Sequence, residues 1–283
     1  MIPPLPDLVL EPLVRAALLE DLGRQGDVTS RAVIPAAATC AVHLRARTPG
    51  RVSGLRIAAL AFRLIDPGLK IGITGADGAD CAAGETLMTI SGDTAAILAA
   101  ERVALNFAGR LSGIATMTAG FVAETKGTQT RITCSRKTTP GLRTVEKQAV
   151  LHGGGANHRF DLSDAILIKD NHIAAGGGLE RVLPAARAAA SHMMKIEVEV
   201  DTLDQLDTVL RLGGADVVLL DNMSTEQLAE AVKRVNGRMV TEASGNMRLA
   251  RIAEVAATGV DYISAGALTH SAPVLDLGLD IDG

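Results

Sequence analysis

The chain has 283 residues, is 47% hydrophobic but only 2% aromatic, lacks Trp, and carries a formal charge of −4 at pH 7. A slightly acidic chain with so few rings does not suit a nucleic-acid partner, and the longest apolar stretch, 95–122, is broken by Glu101, Arg102, Asn106 and Arg110, which excludes a cheap membrane span. Three cysteines without a CxxC pair, and a leading MIPPLPDLVLEP that lacks the pattern of a signal peptide, point to a reducing, cytoplasmic setting. The length suits two domains or one large barrel, with a core drawn from Ala, Val, Leu and Ile.

In chain order, residues 7–22 read as a short amphipathic helix, followed by a turn at Gly23–Gly26 and then Asp27-Val28-Thr29-Ser30. From 39 to 92, alternating runs such as CAVHLRAR and GETLMTIS are separated by Gly, Asp and Pro turns, with a helical pattern at 54–65. This predicts a small α+β domain. The string GADGAD at 75–80 fails the calcium-loop pattern and reads as a turn. A long helix over 93–125, with Ile97, Val103, Leu105 and Leu111 as apolar positions, carries the chain into a second domain.

From 131 onward the runs RITCS, DAILI, KIEVEV, DVVLL, RMVTEA and DYISA alternate with helical segments, a βα repeat whose crossovers make the strands parallel. Nearly every run ends in polar or glycine residues. An open sheet needs such residues mainly at one switch point, whereas a barrel brings all strand ends to one mouth. The expected second domain is therefore a barrel with fewer than eight strands.

Residues 131–172 hold seven Lys or Arg against four acids, and three of the six histidines. Such local sign reversal concentrates an anion. Arg136 and Lys137 follow one strand, and His158 and Arg159 follow the run Gly153-Gly154-Gly155, which does not match GxGxxG and serves equally as a helix stop. Charged hydrogen bonds of about 1.5–3 kcal/mol each would let these groups anchor a dicarboxylate. Glu197 and Glu199 share one strand face, and Glu199 with Asp221 at the mouth fits Mg²⁺ held through few protein oxygens, against the alternative of ion pairing with Lys169. Ser244-Gly245-Asn246 and Ala265-Gly266-Ala267 end the last two strands, where barrels often bind a phosphate. Lys169 at a strand end leaves a Schiff-base aldolase as an alternative.

The ordered set AERVALN (100–106), SRKTTPGLR (135–143), GGGANHR (153–159), AILIKDNH (165–172), EVEVD (197–201), LLDN (219–222), EASGN (242–246) and AGALTH (265–270) resembles the quinolinate phosphoribosyltransferases, also called carboxylating nicotinate-nucleotide pyrophosphorylases. The resemblance runs from EDLGRQGDVTS onward. It implies an α/β protein, an incomplete TIM-like barrel over 109–271 with a smaller N-terminal α+β domain over 1–108 joined by the tail 272–283. It further implies a homodimer, or a higher homo-oligomer, in which one subunit's N-terminal domain closes its partner's barrel mouth. The implied reaction joins quinolinate and phosphoribosyl pyrophosphate, with Mg²⁺, to give nicotinate mononucleotide, pyrophosphate and CO₂.

Carried over to this chain, the resemblance assigns Arg136, His158 and Arg159 to the quinolinate carboxylates, with Ser135 beside them and Arg102 supplied by the other subunit. Lys137 and Lys169 become the catalytic lysines at the pyrophosphate and reacting centre. Glu199 and Asp221 organise Mg²⁺ and the ribose, and Ser244, Gly245, Asn246, Ala265, Gly266 and Ala267 take the 5′-phosphate. Two positions depart from many members: Cys134-Ser135 stands where an acid and Thr are common, and Asn246 where a second Gly is common. The intact RKTTPGLR and KDNH argue against a related phosphoribosyltransferase-like protein associated with molybdenum transport.

Overall fold

A computed structural model of the chain describes residues 2–281. They form two compact units, one from the described residues of Met1–Ala119, Thr139–Gly154 and Ala272–Gly283, the other from Gly120–Thr138 and Gly155–Ser271.

The first unit opens with α1 (Asp7–Leu22), which buries Leu10, Val14 and Leu18 at four-residue spacing along one face. The short α2 (Val28–Val33) is capped by Asp27, whose carboxylate accepts from the Ser30 N–H at 3.0 Å. There follow β1 (Thr39–Ala46), β2 (Gly50–Arg51), α3 (Leu55–Ile65), β3 (Lys70–Ile73), β4 (Asp80–Cys81) and β5 (Thr86–Asp93). In β1, Val42, Leu44 and Ala46 alternate inward with period two. Phe62 of α3 and Leu87, Met88 and Ile90 of β5 are buried with them in this unit's core. The GADGAD segment is a tight connection: Asp77 accepts from the Leu55 N–H at 3.1 Å, and Asp80 pairs with Arg51 at 2.7 Å.

Next comes α4 (Thr94–Ala123), thirty residues without a break. The boundary expected at 108/109 falls inside this helix, and residues 109–119 and 139–154 cluster with the first unit. The second unit begins with β6 (Arg131–Thr133); the chain then supplies α5 (Arg143–His152) to the first unit. Gly153 ends α5, and a side chain there would overlap Thr118 and the Ala115 carbonyl of α4.

The second unit continues with β7 (Ile166–Ile168), α6 (Asp170–Gly176), α7 (Leu179–Ala189), β8 (Ile196–Val200), α8 (Leu203–Leu212), β9 (Val217–Asp221), α9 (Thr225–Val235), β10 (Val240–Ser244), α10 (Leu249–Ala256), β11 (Tyr262–Ser264) and α11 (Ala267–His270). Helices α8 and α9 start with capping boxes, Thr202 with Gln205 and Ser224 with Gln227, each closing two backbone donors at once. The six strands form a parallel sheet in the order β6-β11-β10-β9-β8-β7. Strands β6 and β7 stand at its two edges, so this is an incomplete barrel. In β8, Ile196, Val198 and Val200 are buried on one face while Glu197 and Glu199 take the other. That alternation places carboxylates on the barrel's inner side and valines under the helices.

The chain closes with β12 (Leu277–Ile281), which pairs antiparallel with β1 from Val42↔Ile281 to Ala46↔Leu277. The first unit's sheet is thus β12-β1-β5-β3. Among the described residues, no helix is long and apolar enough to cross a membrane.

Candidate active site

A cavity of ≈ 850 Å³ opens at the carboxyl ends of the parallel strands. Ser135, Arg136 and Lys137 enter it from the end of β6, His158 and Arg159 from the loop before β7, and Lys169 from the end of β7. Glu199 comes from β8, Asp221 from β9, Ser244, Gly245 and Asn246 from the end of β10, and Gly266 and Ala267 from the end of β11. Two residues expected at the site do not line this cavity. Arg102 is exposed on α4 in the first unit, and Ala265 is buried, its N–H donating to the Thr133 carbonyl at 3.0 Å.

One end of the cavity is cationic. The Nε atoms of Arg136 and Arg159 are buried without a hydrogen-bond partner, while Arg159 donates through Nη1 to the Ala165 carbonyl at 2.8 Å. Burial, reinforced by the neighbouring Arg136, holds the Arg159 guanidinium below its ordinary range. Two half-buried arginines near one another, with their Nε groups out of water, are costly unless an anion meets their forks. His158 sits beside them, its Nε2 at 2.8 Å from Glu197 Oε2 and 3.8 Å from Glu242 Oε1. Both glutamates are buried, and Oε1 of each lacks a hydrogen-bond partner. Burial, and then the charge of Glu197, push the Glu242 carboxyl up to about 7, with His158 pulling it back. Cys134 anchors the loop that carries His158, its thiol meeting Asn157 Oδ1 at 3.2 Å.

The other side of the mouth carries acids and tight backbone. Lys169 Nζ lies 3.4 Å from Glu199 Oε2. Burial raises the Glu199 carboxyl, Lys169 lowers it, and Asp221 raises it again. Mutually interacting carboxylates on adjacent strands supply the hard oxygens that a Mg²⁺ ion takes when substrate and water complete its shell. Asn222 donates to Asp221 Oδ2 at 2.5 Å and, with Asn246, holds a left-handed conformation at φ 54° and 49°. Between them Gly245, at φ 92°, passes so close to Asn222 that any side chain would overlap it. Only glycine fits there. At Gly266 a Cβ would press on Lys137 Cδ at 2.9 Å. Both glycines bring main chain directly to the cavity wall.

Sequence reasoning passed over several lining residues. Glu242, Arg248 and His270 all face the cavity. The signal for Glu242 was present: it stands two residues before Ser244 on β10, as Glu197 stands two before Glu199 on β8, so period-two alternation turns both toward the interior. Arg248 and His270 lie on the segments beyond β10 and β11, where no strand periodicity fixes direction.

Comparison with known proteins gives matches over nearly the whole chain. Residues 27–112 match the quinolinate phosphoribosyl transferase N-terminal domain and residues 114–280 its C-terminal domain. The chain belongs to the quinolinate phosphoribosyltransferase family. It is 42% identical to the carboxylating nicotinate-nucleotide pyrophosphorylase of Mycobacterium leprae, covering 95% of each chain. It is 40% identical to the decarboxylating quinolinate phosphoribosyltransferase 1 of Nicotiana glauca, covering 98% of this chain and 83% of that one. A crystal structure of NadC from Streptococcus pyogenes superimposes with a TM-score of 0.94 at 38% identity over the full length of both chains. The two family domains meet inside α4, between residues 112 and 114.

Proposed function

We propose that this family member transfers the phosphoribosyl group of phosphoribosyl pyrophosphate to the ring nitrogen of quinolinate, releasing pyrophosphate and CO₂ and leaving nicotinate mononucleotide. The observation that carries this reading is one cavity lined both by two half-buried arginines whose Nε groups lack partners and by glycine-bearing backbone with two acids. The arginines suit adjacent carboxylates, and the acids suit a ribose on which positive charge develops.

On this reading Arg136, Arg159 and His158 clamp the two carboxylates and so aim the ring nitrogen at the sugar. The new N1–C1′ bond forms as the bond from C1′ to the pyrophosphate oxygen breaks. Glu199 and Asp221 face the sugar carbon as it becomes cationic, and Lys137 and Lys169 take up the charge of the departing pyrophosphate. Glu199 and Asp221 would also hold Mg²⁺, which when bound neutralises phosphate charge. Once N1 is alkylated, the cationic ring accepts the electron pair left by the 2-carboxylate as CO₂ departs, and a proton taken up at C2 completes the balance. No dedicated protein base is needed, so positioning and charge compensation carry the rate. Ser244, Gly245, Asn246, Ala265, Gly266 and Ala267 form the wall offered to the 5′-phosphate, of which Ala265 would contribute only through neighbouring backbone.

Arg102, on the first unit, enters this scheme as a carboxylate ligand delivered by a second copy of the chain. The test of the reaction is direct: quinolinate plus phosphoribosyl pyrophosphate and Mg²⁺ should release CO₂ and pyrophosphate in equal amounts. Absence of both would overturn the assignment. Borohydride trapping of a carbonyl substrate on Lys169 would instead indicate an aldolase.

A further inference from the structure

Below the arginine forks, the ligand atoms of His158, Glu197 and Glu242 all lie within 4.8 Å of one another. Each comes from a different place: the loop before β7, the inner face of β8, and the inner face of β10. Glu197 and Glu242 are 7% and 5% exposed, and each keeps one carboxylate oxygen, Oε1, without a hydrogen-bond partner. Two acids at such depth need a compensating charge or a shared proton. The nearest ionisable hydrogen-bond partner is the His158 ring.

With Glu197 ionised, its oxygen at 2.8 Å from the ring takes a hydrogen on Nε2, and the Glu242 oxygen at 3.8 Å lies on the same side. For the same ring to meet a substrate carboxylate it must do so from Nδ1, and it attracts that carboxylate only with a hydrogen there too. With Glu197 ionised, both demands together are met by the imidazolium, not by either neutral tautomer. The buried acids then stand to the ring as a carboxylate stands to a ligating histidine elsewhere: they orient it and set its charge.

We propose that Glu197, backed by Glu242, is a positioning pair that turns His158 Nε2–H inward and keeps the ring cationic as a ligand for the acceptor's carboxylate. This rests on the quinolinate reading above. Glu197 also offsets the charge of the half-buried Arg159, on which its own charge acts. The acids touch no reacting atom and act only through the ring. Because Glu242 is the more distant partner and already tends to hold a proton, its removal should matter less than that of Glu197.

The decisive measurement is nitrogen NMR on intact protein carrying ¹⁵N-labelled histidine, with the His158 signals identified by their loss in His158→Gln. At pH 7.5, without substrate, wild-type His158 should show both ring nitrogens protonated, and Glu197→Gln should return the ring to a neutral form. Quinolinate affinity measured by calorimetry should fall about ten- to a hundredfold in Glu197→Gln, and less in Glu242→Gln. KM for phosphoribosyl pyrophosphate should stay within about twofold of wild type in both. A neutral His158 ring in wild type would overturn the proposal even if the variants fail to fold. So would unchanged quinolinate affinity in folded Glu197→Gln, equal losses toward both substrates, or a stoichiometric zinc or manganese found by elemental analysis of purified protein, which would make the cluster a metal site. If wild-type protein releases neither CO₂ nor pyrophosphate, the quinolinate reading fails by itself, whereas the ring charge is read without any substrate.

Discussion

Arg136 and Arg159 are held for an anion before one arrives, with buried Nε groups that lack hydrogen-bond partners. A substrate with one carboxylate leaves part of that array unmatched, and sites with unpaired buried polar groups discriminate strongly. Nicotinate should therefore be used at least about a hundredfold less efficiently than quinolinate in kcat/KM, and comparable turnover of the two would contradict the assignment of the forks. Glu242 allows a second prediction at this scale, on stability. Its carboxyl is pushed up to about 7 from an ordinary 4.5 by burial and Glu197, against the pull of His158. Below the unfolded value both states hold the proton, so its contribution is fully present. Between 4.5 and 7 the unfolded chain releases it while the native chain retains it, so stability declines as pH rises. Melting temperatures measured from pH 4.5 to 7.5 should fall more steeply in wild type than in Glu242→Gln; parallel curves would contradict this.

Among the elements, α4 offers the sharpest test because one substitution at two of its glycines should have opposite signs. A Cβ on Gly113 would overlap the Pro273 carbonyl, whereas one on Gly120 meets nothing within 4 Å. Glycine to alanine in a helix ordinarily stabilises by about 1 kcal/mol. Gly120→Ala should realise some of that gain, and Gly113→Ala should instead lose about 2 kcal/mol or more through overpacking. Urea unfolding of the two variants checks both signs. Neighbouring elements show what sequence patterning can and cannot convey. The span of α4 and the six runs from β6 to β11 were legible because apolar periodicity extends over enough residues to decide their type. The two-residue β2 and β4 were not, since they have no room for a pattern. Lining residues that end strands, such as Lys169 and Asp221, could be read from their position. Glu242 looked like one more strand residue because its importance lies in Glu197 and His158, which are distant in sequence and adjacent in space.

For the whole molecule, the βα rhythm predicted parallel strands and fewer than eight of them, and the sheet has six. Grouping α5 with the first unit was beyond such reasoning, because the contacts that place it are far apart in sequence. At this scale the proposed sharing of Arg102 makes a prediction of its own. Mixed Arg102→Ala and Lys169→Ala proteins, each inactive, should regain some activity once subunits exchange, since in a symmetric pair one mouth would keep both groups. Failure in proven heterodimers would refute sharing. The pairing of β12 with β1 has a consequence for synthesis. Leu277–Ile281 leave the ribosome after every residue of the second unit, so that unit has its full sequence while β1 still presents an unpaired edge. Domains usually fold in order of emergence. Here the unit that emerges first must wait longest, exposing a strand edge open to pairing with other nascent chains until its last strand arrives.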